Sequence, residues 1–129
     1  MADALKTVNR FRELMYQHND LQGAAQLVTA QVRFVGPISQ YEVPAAEFLA
    51  RLQRVTAVQI ETRVLQQFQN GDDEACSVDE SVLRTPAGGT ILLSVANWYR
   101  LRQGKIAEMR IYYDPRDFLA TFTPPAPKS

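Results

Sequence analysis

The chain has 129 residues, 46% hydrophobic and 22% charged, with 14 Lys and Arg balanced by 14 Asp and Glu. That length holds one ordinary globular domain rather than two, and it suffices for a core that folds without disulfide or metal staples. A net charge of zero lacks the clustered excess of Lys and Arg that nucleic acid or an anionic membrane demands, so neither is an expected partner.

Cys76 is the only cysteine. It excludes an intrachain disulfide and leaves no Cys/His spacing for zinc, and neither a metal nor a cofactor is expected. The opening stretch MADALKTVNRF contains Asp3 and no continuous apolar run. Nowhere does the sequence approach the roughly 20 apolar residues of a membrane-spanning helix. A reducing, cytoplasmic setting is the expectation.

From Ala4 to about His18, Leu5, Val8, Phe11, Leu14 and Met15 recur at spacings of three and four, with Lys6, Arg10, Arg12, Glu13 and Gln17 between them. This is the pattern of an amphipathic helix. Asn19-Asp20 offers N-cap chemistry for a shorter second helix through Leu21, Ala24, Ala25, Leu27 and Val28. Val32-Arg33-Phe34-Val35 reads as a short strand stopped by Gly36-Pro37. Pro44 suits the first turn of a third helix that runs through Phe48, Leu49 and Leu52.

After about Thr56 the period changes to two. Val58, Ile60, Thr62, Val64 and Phe68 alternate with polar neighbours, and Asn70-Gly71-Asp72-Asp73 turns the chain. Three further strands are expected at 75–85, 90–102 and 105–113, separated by Pro86-Ala87-Gly88-Gly89 and by Gln103-Gly104. Turns this short join antiparallel neighbours. In the strand 90–102 both faces carry large apolar groups, Ile91, Leu93 and Tyr99 on one and Leu92, Ala96 and Trp98 on the other. One face is therefore expected to cover the helices and the other a second subunit, in a homodimer. Helices first and strands afterwards give an α+β domain over residues 1–122, with a curved antiparallel sheet; the Pro-rich tail 123–129 reads as disordered.

This order of elements, with the stretch Asn97-Trp98-Tyr99-Arg100-Leu101-Arg102-Gln103-Gly104-Lys105-Ile106 and Tyr112-Tyr113-Asp114, resembles the nuclear transport factor 2-like superfamily over about residues 4 to 120. It most resembles the SnoaL-like branch, which includes polyketide cyclases. The resemblance implies a cone-shaped, cystatin-like α+β barrel, a sheet wrapped round the N-terminal helices with a pocket in its mouth, paired through sheet faces. It implies no single reaction, because the scaffold carries isomerases, cyclases, epoxide hydrolases, dehydratases and pure binding modules. The oxyanion-hole tyrosine of ketosteroid isomerases is matched by Phe11, their aspartate base before a proline by Gly36, and their protonated second oxyanion aspartate by Asn97. Steroid-type isomerisation is disfavoured, and Asn97 stays a candidate amide donor to a ligand carbonyl. The limonene epoxide hydrolase pattern of two carboxylates held by an arginine is met at Asp79 alone, with Ser77 where the arginine would stand. The late aspartate of SnoaL-like cyclases is matched by Asp114.

Asp114 has two readings. In an apolar pocket, desolvation would raise its pKa and suit it to acid/base work; alternatively, Asp114-Pro115 ahead of Phe118-Leu119 has the form of an N-cap and first turn. His18, the only histidine, is a proton shuttle on one reading and a helix C-cap on the other. Tyr112 shares a face with Asp114 by alternation and is favoured over Tyr113 as a pocket wall, while Tyr16, Tyr41, Trp98 and Tyr99 suit a pocket or a core. Asp79 shares a face with Ala75, Ser77 and Ser81, small enough to line a cavity. Glu61, Arg63, Glu80 and Arg84 read as cross-strand ion pairs on a wet face, and Cys76 as a small buried residue. The functional expectation is a pocket for a small, largely apolar molecule. Cofactor-free proton transfer of the cyclase or isomerase kind would use Asp114 as acid/base, Asn97 and Tyr112 as orienting donors, and His18 and Asp79 as auxiliaries. The alternative is a non-catalytic ligand-binding or dimerisation module.

Overall fold

The structure, a computed structural model, describes residues 3–122; the tail expected at 123–129 lies outside the described residues. Helix α1 spans Ala4–Arg12, and the Asp3 carboxylate caps it by accepting a hydrogen bond from the Lys6 amide at 3.0 Å. The chain then continues as a wider π-helical turn, Glu13–Gln17, so the single helix expected to reach His18 changes its winding part-way. Helix α2, Leu21–Ala25, is capped in the same manner by Asp20 on the Gly23 amide at 2.8 Å.

Helix α2 ends sooner than its apolar residues suggest, because Val28 already belongs to strand β1, Val28–Val35, where it pairs with Ile106. A strand not anticipated from the sequence follows, β2 at Gln40–Pro44. Pro44 thus closes a strand immediately ahead of α3, Ala45–Thr56, rather than occupying that helix's first turn. The meander comprises β3 Gln59–Asn70, β4 Glu74–Arg84, β5 Thr90–Arg102 and β6 Lys105–Tyr112, and α4 is Pro115–Phe122. Gln103 and Gly104 both have positive φ, 52° and 78°, the backbone that lets a two-residue turn match the twist of β5 and β6.

The six strands form one curved, unclosed sheet in the order β2-β1-β6-β5-β4-β3. Every join is antiparallel except β1 with β6, which is parallel and brings the first strand beside the last. Extra residues in β3, at Ile60 and Leu65, and in β6, at Ala107 opposite Arg100 and Leu101, bend the strands where they enter the ladder. On the concave side α1 packs against β3 and β4, and α3 against β1 and β2. Phe11, Met15, Phe48, Tyr99, Ile106 and Met109 are fully buried there, with the Phe11 and Phe48 rings stacked 6.3 Å apart. Each such side chain contributes about 1.5–3 kcal/mol through the water it leaves behind.

The convex face is different. Phe68, Leu92 and Tyr112 stand exposed, Leu92 at 57%, and the guanidinium groups of Arg100 and Arg110 both lie over the Trp98 ring, 5.2 and 5.7 Å from its centroid. Arg63 and Glu80 form the cross-strand pair expected on this face, at 2.9 Å. Cys76 sits there half-buried opposite Trp98, and burial pushes its thiol pKa up, which makes it a poor nucleophile. Among the described residues no helix is long and apolar enough to cross a membrane.

Candidate functional site

Strand β4 alternates without interruption, so Ala75, Ser77, Asp79, Ser81 and Leu83 all point to the concave side and are buried. Three of those five are polar, and one is a carboxylate with 2% exposure. A charge in that position is tolerable only if it is paired and hydrogen-bonded. The fold meets the requirement with three donors. Arg12 reaches down from α1 and places Nη2 2.7 Å from Asp79 Oδ2. Asn97 Nδ2, from β5, donates to the same oxygen at 2.8 Å, and Ser77 Oγ donates to Oδ1 at 2.7 Å.

The network continues outward. Arg12 Nη1 donates to the Tyr99 hydroxyl at 3.3 Å, and Gln67 Nε2 donates to Ser77 Oγ at 3.0 Å. Gln67 also exchanges a pair of amide hydrogen bonds with Asn9, at 2.8 and 3.1 Å, tying α1 to β3. Among the described residues, no buried side-chain nitrogen or oxygen lacks a partner. Burial works against the Arg12 charge, but the oxygens of Tyr99, Tyr16 and Asp79 outweigh it and hold the guanidinium above its ordinary pKa. Burial likewise raises the Tyr99 phenol well above its usual range.

A cavity of about 470 Å³ opens beside this cluster. Phe34, Leu52, Leu83, Leu93, Met109 and Ile111 give it apolar walls, while Asp79 and Asn97 border it from the sheet. Both Asn97 amide hydrogens are directed at Asp79 and the Ser77 carbonyl. What Asn97 offers a guest is therefore its carbonyl oxygen, an acceptor in place of the donor expected from sequence. Tyr41 and Tyr113 also border the space, and burial raises both phenols, which keeps them neutral donors around neutral pH. Gly36 lines the wall where the isomerase base was sought, and a Cβ there would come within 3.1 Å of the Phe34 ring and 3.3 Å of Ile111.

Of the residues singled out from sequence, Asp79 and Asn97 are brought together, and the other three lie elsewhere. Asp114 stands outside the cavity, where it accepts from the Arg116 amide at 3.0 Å and pairs with that residue's guanidinium at 2.6 Å. Those hydrogen bonds from Arg116 hold its pKa down at about 2, the reverse of the rise that acid/base work would need. Tyr112 is exposed on the convex face, because the inward set of β6 is Met109 and Ile111, with Tyr113 following in phase. His18 ends the π-helical turn exposed to solvent, with Nε2 3.4 Å from Glu13 Oε1.

Arg12 is the functional residue that sequence reasoning assigned to the wet face. Its signal was present: Val8, Phe11, Arg12 and Met15 are spaced i, i+3, i+4, i+7, so the arginine lies within the dry stripe. Among the described residues no group of three His, Cys, Asp or Glu side chains is arranged to hold a metal ion.

The family model described as a SnoaL-like domain matches residues 8–109. The chain belongs to the SnoaL-like family. No curated protein matches this SnoaL-like chain in sequence. Solved structures of the same fold include an NTF2-like protein of unknown function from Burkholderia pseudomallei, 16% identical with a TM-score of 0.78, covering 96% of this chain and 100% of that one. A putative polyketide cyclase from Pseudomonas putida is 19% identical, with a TM-score of 0.74 and coverage of 94% and 98%. TerC, co-crystallised with polyporic acid, is 16% identical, with a TM-score of 0.75 and coverage of 92% and 96%.

Removing one partner of the buried pair, by Arg12→Met or Asp79→Leu, is expected to cost about 3–5 kcal/mol, because the other charge is left buried and alone. The double variant should cost clearly less than the sum, as read by urea unfolding around the cycle. The Asp114 carboxyl is expected to titrate near 2 by NMR. Since its folded pKa is depressed, its pairing stabilises the chain fully above the unfolded pKa, and that stabilisation is lost as pH falls from there through the folded value. Arg116→Gln should return it toward the ordinary 3.8.

Proposed function

We propose that this SnoaL-like chain binds a small, largely apolar carbonyl compound in its cavity, and that Asp79 moves a proton on it without a cofactor. The observation that carries the reading is a carboxylate bordering an apolar cavity of about 470 Å³. Such a group accepts a proton from a carbon next to the ligand carbonyl, and the enolate oxygen so formed takes a hydrogen bond from a neutral phenol, Tyr113 or Tyr41. Returning the proton to a different carbon gives isomerisation; attack of the enolate carbon on a second carbonyl opens that C=O π bond to an alkoxide, which takes the proton back from Asp79 as the ring closes. Arg12 serves as a positioning residue that holds the carboxylate in place. A neighbour named a putative polyketide cyclase, and another crystallised with polyporic acid, fit this reading. A second reading, binding without turnover, is favoured by the three protein donors already engaging Asp79.

β-Tetralone, an apolar bicyclic ketone with acidic C–H bonds, tests both. Wild type is expected to bind it and to speed its hydrogen-deuterium exchange, followed by NMR, by about a hundredfold or more over protein-free buffer. Asp79→Asn should fall to background while Asp114→Asn exchanges like wild type. Binding without exchange decides for the second reading, and no binding removes both.

The same proposal has the chain acting as a homodimer through its convex sheet face, in a cytoplasmic setting that suits its lone thiol. Register makes that surface continuous, with Phe68 beside Cys76 beside Trp98, Val82 beside Leu92 and Ala96 beside Tyr112. Two ion pairs on it are already made within the chain, Arg63 with Glu80 and Arg110 with Glu108, so docking on a second copy does not strand those charges. Sedimentation velocity should show a dimer for wild type and a monomer for Leu92→Lys; a monomeric wild type would refute the pairing.

A further inference from the structure

The two members of the buried ion pair face different spaces. Asp79 borders the apolar cavity, whereas Arg12 borders a second cavity of about 420 Å³ beside α1 and β3. The two spaces adjoin, since Tyr16, Thr56, Gln59 and Thr62 line both. Tyr16 stands at the junction with its ring centroid 5.1 Å from Arg12 Cζ. Chemically the two differ. Asn9, Arg12, Glu13, Gln17 and Glu61 make the second cavity polar, with Ile60 and Val64 as its apolar members.

Arg12 is 5% exposed and spends two of its five N–H donors on Tyr99 and Asp79. Arg12 lines the second cavity and not the first, so any further hydrogen bond it gives to a guest is given there. Its charge is matched by Asp79 and that of Glu13 by Arg10 at 3.2 Å, so Glu61 alone leaves the second cavity with a small acidic balance. Hydrogen bonds from His18 and then Arg10 hold the Glu13 pKa below its ordinary value, keeping that carboxylate ionised. An anionic ligand group would be repelled there. A neutral group with several hydroxyls is not, because it can accept from Arg12 and donate to the carboxylates and to the side-chain carbonyls of Gln17 and Gln59.

We infer that the two cavities are one bipartite site, and that its ligand is an apolar ring system carrying an uncharged, hydroxyl-rich substituent such as a sugar. The ring occupies the space at Asp79, the hydroxyls occupy the space at Arg12, and the link between them passes Tyr16. This rests on the apolar-pocket reading above and specifies the class of molecule that fills it.

The test is calorimetry with three probes of one ring, naphthol, naphthyl glucoside and naphthyl glucuronide, the last adding only a carboxylate to the sugar. Wild type should bind the glucoside about tenfold tighter than naphthol, the effect of one or two net hydrogen bonds, and the glucuronide more weakly than the glucoside. Val64→Trp, at a position that borders the second cavity alone, should erase the glucoside's advantage and leave naphthol binding unchanged. Gln17→Trp, exposed and bordering the same cavity, gives the same readout if the first variant fails to fold. Glu61→Lys should reverse the preference in favour of the glucuronide. If naphthol binds and the glucoside binds no tighter, or if its advantage survives both tryptophans, the bipartite site is wrong while the apolar pocket stands. If naphthol itself does not bind, both fall.

Discussion

The contact between Arg12 and Asp79 governs the arrangement of everything around it. Two charges taken out of water cost several kcal/mol each, and their attraction repays this only in good geometry with further hydrogen bonds. Here Ser77, Asn97 and Tyr99 supply those bonds, so α1, β4 and β5 must meet at one place and in one register. Sliding β4 by a single residue would turn Asp79 to the convex side and bury Val78 or Glu80 in its stead, leaving Arg12 with no counter-ion. The pair is thus better regarded as a specification of how helix and sheet dock than as a store of stability.

That docking also explains why a space remains inside. The aromatic and aliphatic side chains of α1 and α3 fill the concavity beneath Phe11, Phe48 and Tyr99. Extra residues in β3 and β6 bend the sheet, and the helices pack on part of it, α1 on β3 and β4 and α3 on β1 and β2. Polar groups cannot collapse into the remaining volume, because those on the wall are committed to one another. Asp79 and Asn97 are held by the ion pair and its satellites, so the cavity meets a guest with preset acceptors.

Much of this was legible in the residues. The period-two alternation of 75–85 put Asp79, Ser77 and Ser81 on one face, as found, and Gln103-Gly104 marked a turn that the positive φ angles bear out. Local patterning could not reveal the parallel join of β1 to β6, which links segments far apart in the chain (Val28 with Ile106). Strand β2 escapes a local reading although Gln40-Tyr41-Glu42-Val43 alternates, because the run is short, ends on Pro44 and is ordered by pairing with β1. Arg12 was read by residue type rather than by position, and a charged side chain in a dry stripe becomes intelligible only when its partner, 67 residues away, is seen. Tyr112 was favoured for company with Asp114, whereas the phase of β6 was set by the apolar Met109 and Ile111. Capping chemistry at Asp114 was the sounder local signal.

Gly36 carries an implication for how such a scaffold diversifies. Its wall position bears only a hydrogen, and the Phe34 ring and Ile111 close in on the spot where a first carbon would sit. The calibre of the interior is therefore governed in part at a loop site that takes no part in the salt-bridged framework, where one methyl group narrows the chamber and a carboxylate would equip it with new reactivity. Descendants of one ancestral cone could exchange guests by changing that residue, with the helix-to-sheet docking left untouched.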